Sequence, residues 1–136
     1  MKRVFIDTGG FFAHLVSEDP LHARAAALFA QAHREAWALV STNAVLYETH
    51  ALLVNRTREG REAGLRFIEH VESGLCVVVR VTPDDEASAT SILRDHQDKA
   101  YSLCDALSFV VTERLGITEA VAFDRHFREY GKLTIL

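Results

Sequence analysis

The sequence predicts an α/β fold, a three-layer α/β/α arrangement built on a central, mainly parallel sheet. Three observations predict it. Short apolar, β-branched runs alternate along the chain with longer segments of helical pattern, the signature of strands joined by crossover helices. The 136 residues suffice for one domain and are too few for two comfortable ones, so a single domain is expected over residues 1–136. With 49% of residues hydrophobic and 25% charged, the chain can bury a sizeable core beneath a polar surface.

The elements follow in order. Arg3 to Asp7 is a short buried strand. Two helical pieces come next, Thr8 to Val16 and Pro20 to Ala36, the second opened by Asp19-Pro20 with proline at the first helical position. Leu39 to Ser41 is a second strand. Asn43 to Asn55 is a helix with Ser41 or Thr42 as its N-cap. Arg58 to Ser73 is another helix, closed by Gly74. Leu75 to Val81 is so uniformly apolar that it predicts a strand buried on both faces. Pro83-Asp84-Asp85-Glu86 opens a helix to about His96, its acids favoured by the helix dipole. Leu103 to Leu115 is a helix stopped at Gly116, Ala120 to Phe123 a strand, Arg125 to Tyr130 a short helix, and Leu133 to Leu136 a last strand.

Composition excludes several classes. No apolar run approaches the roughly 20 residues that span a membrane. Asp7 interrupts the apolar start at once and no cleavage site follows, so the N-terminus is read as a strand rather than a signal peptide, and the protein as cytoplasmic. Cys76 and Cys104 form no Cys-x-x-Cys pair, and the seven histidines show no ligand spacing, which argues against zinc. The net charge of −4 gives no bulk attraction to nucleic acid, so a polyanion would have to be held by a local basic patch or by bound metal.

Four acids stand out. Asp7 and Asp124 each end a strand, at the edge of a parallel sheet where ligands bind. Each also precedes a helix and has a plain alternative role as an N-cap. Asp105, in Ser102-Leu103-Cys104-Asp105, has the same alternative as the acid of a capping box. Glu48 differs: its helical neighbours Ala44, Val45, Ala51 and Leu52 are all apolar, so it is expected to face the core. A carboxylate there must be protonated, paired or metal-bound, and the alternative is a tertiary salt bridge. Carboxylates gathered at one end of a sheet repel unless a cation neutralises them, and an all-oxygen cluster suits Mg²⁺ or Mn²⁺. Such a site can activate water and steady charge on a phosphodiester.

Val4-Phe5-Ile6-Asp7-Thr8, Leu46-Tyr47-Glu48, Ser102-Leu103-Cys104-Asp105-Ala106-Leu107-Ser108-Phe109 and Ala122-Phe123-Asp124-Arg125-His126-Phe127 together resemble the PIN-domain family, in particular the VapC toxins of toxin–antitoxin pairs. The resemblance covers essentially the whole chain. It implies a PIN-like fold, a metal-dependent endoribonuclease activity, and a metal site of Asp7, Glu48, Asp105 and Asp124 holding Mg²⁺ or Mn²⁺. It gives Thr8 and Ser102 supporting hydroxyl roles and ranks Asp98 below the four acids. It further implies an RNA substrate, a partner antitoxin protein that inserts into the active-site groove, and a homodimer. One departure is Cys104, where relatives commonly carry threonine.

For flanking phosphates the sequence offers Arg56, Arg58 and Arg61, or Arg125 and Arg128, each of which could equally be a solvated helix face. A phosphoaspartate phosphatase would need a second aspartate where Gly9 stands, and Gly9-Gly10 lacks the pattern of a nucleotide-binding loop. Two alternatives share the fold: a nuclease of RNA maturation, and a catalytically silent protein-binding module.

Overall fold

The computed structural model describes residues 1–136. Arg3–Ile6 forms β1, Ala38–Thr42 β2, Val77–Val79 β3, Glu119–Val121 β4 and Thr134–Ile135 β5. They make one five-stranded sheet in the order β3-β2-β1-β4-β5, with every neighbouring pair parallel. The helices are α1 (Thr8–Leu15), α2 (His22–Arg34), α3 (Asn43–Arg56), α4 (Arg61–Glu72), α5 (Pro83–Asp95), α6 (Leu103–Leu115) and α7 (Arg125–Tyr130). The expected α/β class and parallel sheet are both present.

The strand order decides where a site can lie. The chain leaves β1 for β2 on one side and returns later to place β4 on the other. The crevice between β1 and β4 is therefore a topological switch point, where the connections leaving two adjacent strands diverge. Val4, Phe5 and Ile6 are fully buried, as a central strand requires. At its end the Asp7 amide donates to the Val121 carbonyl at 3.1 Å, and the Ser41 hydroxyl donates to the Ile6 carbonyl at 2.8 Å. These bonds hold the carboxyl ends of β4, β1 and β2 level. Gly10 of α1 lies so close to β4 that a Cβ there would meet the Val121 carbonyl at 2.9 Å, so glycine is needed for the approach.

The core is rich in phenylalanine. Phe5 stacks with Phe127 at 6.3 Å between centroids, and Phe109 meets Phe127 edge-on at 5.0 Å and stacks with Tyr130 at 4.0 Å. Burying one such ring stabilises by about 1.5–3 kcal/mol. Phe127, fully buried, thus anchors the six-residue α7 and with it Asp124.

Some element limits depart from the sequence-based expectation. α2 begins at His22, not Pro20, because Asp19 Oδ1 accepts the Leu21 amide and Pro20 sits in that turn. α4 begins at Arg61, since Thr57 accepts the Gly60 amide and Gly60 has a φ of 49°. β3 is shorter than Leu75 to Val81 and is not buried on both faces: Val77 is 58% exposed. β3 pairs only with β2 and stands at the sheet edge, so its apolar run reports strand propensity and not an interior position. The ends of α5 and α6 follow the expected limits closely, each with a complete capping box, on Thr82 and Ser102. No helix is long and apolar enough to cross a membrane.

Candidate metal centre

Asp7 follows β1 directly and occupies the N-cap position of α1, yet its side chain makes no capping bond. It is 3% exposed, and its Oδ1 is buried without a hydrogen-bond partner. A simple cap would not leave this oxygen bare. Burial raises the carboxyl's pKa well above the ordinary value, and the carboxylates of Asp124, Asp105 and Glu48 push it the same way, while the Thr8 amide opposes them.

Asp105 and Asp124 do cap their helices. The Ser102 amide donates to Asp105 Oδ2 at 2.9 Å, the Asp105 amide to Ser102 Oγ at 3.0 Å, and the His126 amide to Asp124 Oδ1 at 2.9 Å. Each cap uses one carboxylate oxygen and leaves the other for a further partner, so capping and ligation are compatible. Asp105 also has a raised pKa, from burial and from Asp124, against which the Ser102 amide and the charge of His126 act.

Carboxylate oxygens of Asp7, Asp105 and Asp124 all lie within 4.8 Å of one another. At an effective dielectric of about 20, two full charges at that separation repel by about 3–4 kcal/mol. A helix cap contributes only about 1 kcal/mol, so capping alone does not account for the gathering. A divalent cation fits it. The donors are all oxygen, the set that suits Mg²⁺ or Mn²⁺, and Asp7 holds a buried oxygen with no hydrogen-bond partner. The Cys104 thiol sits beside this group; burial raises its pKa, and Glu48, Asp7 and Asp105 raise it further, so it is held as a neutral thiol rather than a thiolate ligand.

Glu48 departs from expectation. It is exposed and lies outside the close group of three. α3 buries the stripe Val45, Leu46, Thr49 and Leu53, while Ala44 and Leu52 are only half-covered and Ala51 is exposed. Small apolar neighbours therefore did not mark a buried face. The Glu48 charge still raises the pKa of Asp7 and of Cys104, so it acts on the group from outside it.

Thr8 is buried at the site with its Oγ1 unpartnered, and Ser102 serves as the cap of α6. Asp98 is exposed in the segment before α6, 3.8 Å from Lys99, and is not part of the close group. Arg125, next to Asp124, pairs with Glu129 at 3.2 Å, and Arg128 is exposed on the same short helix. Arg56, Arg58 and Arg61 are exposed at the far end of α3, in the turn after it and at the start of α4. Arg58 lines a separate cavity of about 290 Å³ with Leu15, Phe67 and His70. The sequence did not single out His126, whose charge acts on Asp105 and whose ring meets Tyr101 edge-on at 5.8 Å. The only available signal was its place two residues after Asp124.

Comparison with known proteins agrees with this geometry. The family model described as PIN domain matches residues 4–133. The 23S rRNA-specific endonuclease VapC20 of Mycobacterium tuberculosis, found in two strains, is 34% identical over 128 residues, covering 94% of both chains. The crystal structure of that organism's VapC20, described as a Sarcin-Ricin loop cleaving toxin, superposes with a TM-score of 0.87 at 32% identity over 96% of each chain. A parallel sheet with aspartates meeting at its switch point, a match over residues 4–133 and a shared fold along nearly the whole length lead to one conclusion: the chain belongs to the PIN-domain family and is a homologue of VapC-type toxin endonucleases.

Proposed function

We propose that the protein is a metal-dependent endoribonuclease, the toxin of a VapBC-type pair, and that Asp7, Asp105 and Asp124 hold Mg²⁺ or Mn²⁺ with Glu48 at the rim. The observation that carries this reading is the group of three aspartate carboxylates within 4.8 Å at the β1–β4 crevice. Homology to VapC20 along the chain supports the same reading.

When bound, the cation supplies Lewis-acid stabilisation of charge on a phosphodiester and lowers the pKa of water. The chain's own residues do the rest. Asp7 and Asp105, both buried, present fixed oxygens that need no reorganisation on loading. The buried Thr8 hydroxyl lies beside the Cys104 thiol and offers a donor at the pocket. Ser102 holds the first turn of α6, and so Asp105, in place. Arg125 and Arg128, on the helix that follows Asp124, are the first candidates for flanking phosphates, with Arg56 at the end of α3, Arg58 in the turn after it and Arg61 at the start of α4 as the others. Asp98 lends negative charge beside the approach to α6.

The reading carries partners with it: an RNA substrate, a cognate antitoxin and a second copy of the chain, in the cytoplasm. Ribosomal RNA is the first substrate to try, because VapC20 is named for it. The test is incubation of the purified protein with ribosomal and transfer RNA, with Mg²⁺ or Mn²⁺ and with EDTA, beside Asp105→Asn. Metal-dependent cuts absent from the variant are expected. Equal cutting by the variant would refute the site; no cutting and no metal binding would return the silent module to favour.

A further inference from the structure

Tyr47 is the only exposed aromatic residue in the chain, at 63%. Every phenylalanine, the tryptophan and the other two tyrosines are buried or half-buried. The fold gains little from this ring, so its place needs another cause. That place is early in α3, the helix that also carries Glu48. α3 starts directly after β2, whose end is held level with Asp7 by the Ser41–Ile6 bond. Tyr47 lies directly after the first turn of α3, about 6 Å along the helix from Asn43, and is the chain neighbour of Glu48, whose charge acts on Asp7. On α6, which packs against α3, Leu103 is 47% exposed and precedes Cys104 and Asp105. Two of the six exposed large apolar side chains thus belong to the segments that build the site.

Resting on the ribonuclease reading above, we infer that Tyr47 is a stacking platform for an unpaired base next to the phosphate that is cut, with Leu103 as a second apolar surface for that nucleotide. An exposed ring favours a base over other occupants here. The pocket beside it carries oxygens suited to a metal-held phosphate, and one nucleotide carries both a phosphate and a flat π-face. RNA is read chiefly through unpaired bases stacked on aromatic side chains. Stacking serves any base, so Tyr47 orders the strand without dictating its sequence.

The test follows cleavage of ribosomal RNA, and then of a short oligonucleotide carrying the mapped cut, by wild type, Tyr47→Ala, Tyr47→Phe, Tyr47→Leu and Leu103→Ala. Tyr47→Ala is expected to raise KM about tenfold with kcat little changed, Tyr47→Phe to behave as wild type, and Tyr47→Leu to resemble the alanine variant. Leu103→Ala is expected to have a smaller effect on KM. An abasic nucleotide beside the cut is expected to erase the difference between wild type and Tyr47→Ala. Mn²⁺ affinity and sedimentation of the variants are expected to stay as in wild type. Loss of the dimer, or of Mn²⁺ binding, in Tyr47→Ala would overturn the inference, as would full activity of Tyr47→Leu or a difference that survives the abasic substrate. Wild type that cuts no RNA sinks the ribonuclease reading and this inference together. Cutting that ignores Tyr47 sinks this inference alone.

Discussion

Arg114 of α6 grips Asp85 of α5 with two prongs, Nε to Oδ1 at 2.9 Å and Nη2 to Oδ2 at 2.7 Å. Asp85 is 3% exposed and at the same time closes the capping box of α5 by accepting the Thr82 amide at 3.0 Å. One carboxylate thus ends one helix and joins it to the helix that carries Asp105.

Arg114→Ala leaves that carboxylate buried and unpaired. Because the Arg114 side chain is 42% exposed, solvent screens part of the loss, and we expect destabilisation of about 2 kcal/mol. The Arg114 hydrogen bonds hold the Asp85 pKa below its ordinary value of 3.8. Its contribution is therefore complete above about pH 4 and is lost as pH falls through the lower folded value. Urea unfolding of wild type and Arg114→Ala should show a gap that is constant near neutrality and narrows in strong acid. A gap independent of pH would contradict the assignment.

Asp7→Asn removes one of three mutually repelling charges and replaces one carboxylate oxygen by an amide nitrogen that cannot ligate a cation. Without added metal the variant is expected to melt at or above the wild-type temperature. Added Mn²⁺ should stabilise wild type, by about 2.7 kcal/mol at a hundred times Kd, and leave the variant unmoved. Equal stabilisation of both, followed by scanning calorimetry, would place the cation elsewhere.

Glu48→Gln and Asp105→Asn should separate rim from pocket. Glu48 is exposed, so solvent and salt weaken its pull, and its loss is expected to raise the Mn²⁺ Kd only about threefold. Asp105 is buried within the close group, and its loss is expected to cost well over tenfold, on the order of 1.4 kcal/mol or more. Titration calorimetry at two salt concentrations should show salt dependence in the Glu48 effect. A larger loss for Glu48→Gln than for Asp105→Asn would mean that Glu48 turns inward on loading.

Cys104→Thr restores the hydroxyl common in relatives. The residue is half-buried at the second position of α6, where threonine costs under about 1 kcal/mol in helix propensity. Cleavage is expected within about threefold of wild type, since the neutral thiol is not among the three grouped acids. A loss comparable to Asp105→Asn would show that the thiol has a direct part.

Much of the fold was legible because its signals are local. Ser102 and Gly116 bracket α6 by cap chemistry that acts within a few residues, and Thr82 with Asp85 does the same at the start of α5. Asp7 and Asp124 were legible as site candidates because each follows a strand. The expectation that Glu48 faces the core failed because helical spacing identifies neighbours on a face but not what covers that face. β3 was misjudged for the same reason, since an apolar run does not tell whether a second strand or a helix lies beyond it.

By itself, then, the sequence determined the alternation of strands and helices, most of their ends, and which acids stand at the carboxyl ends of strands. Those features depend on interactions between residues close along the chain. Tertiary structure alone decided that β4 lies beside β1, that Asp7, Asp105 and Asp124 share one crevice while Glu48 stays exposed outside their group, and that Tyr47 remains in solvent. Those outcomes depend on which distant surfaces cover one another, and burial and charge repulsion are set only when that packing is complete.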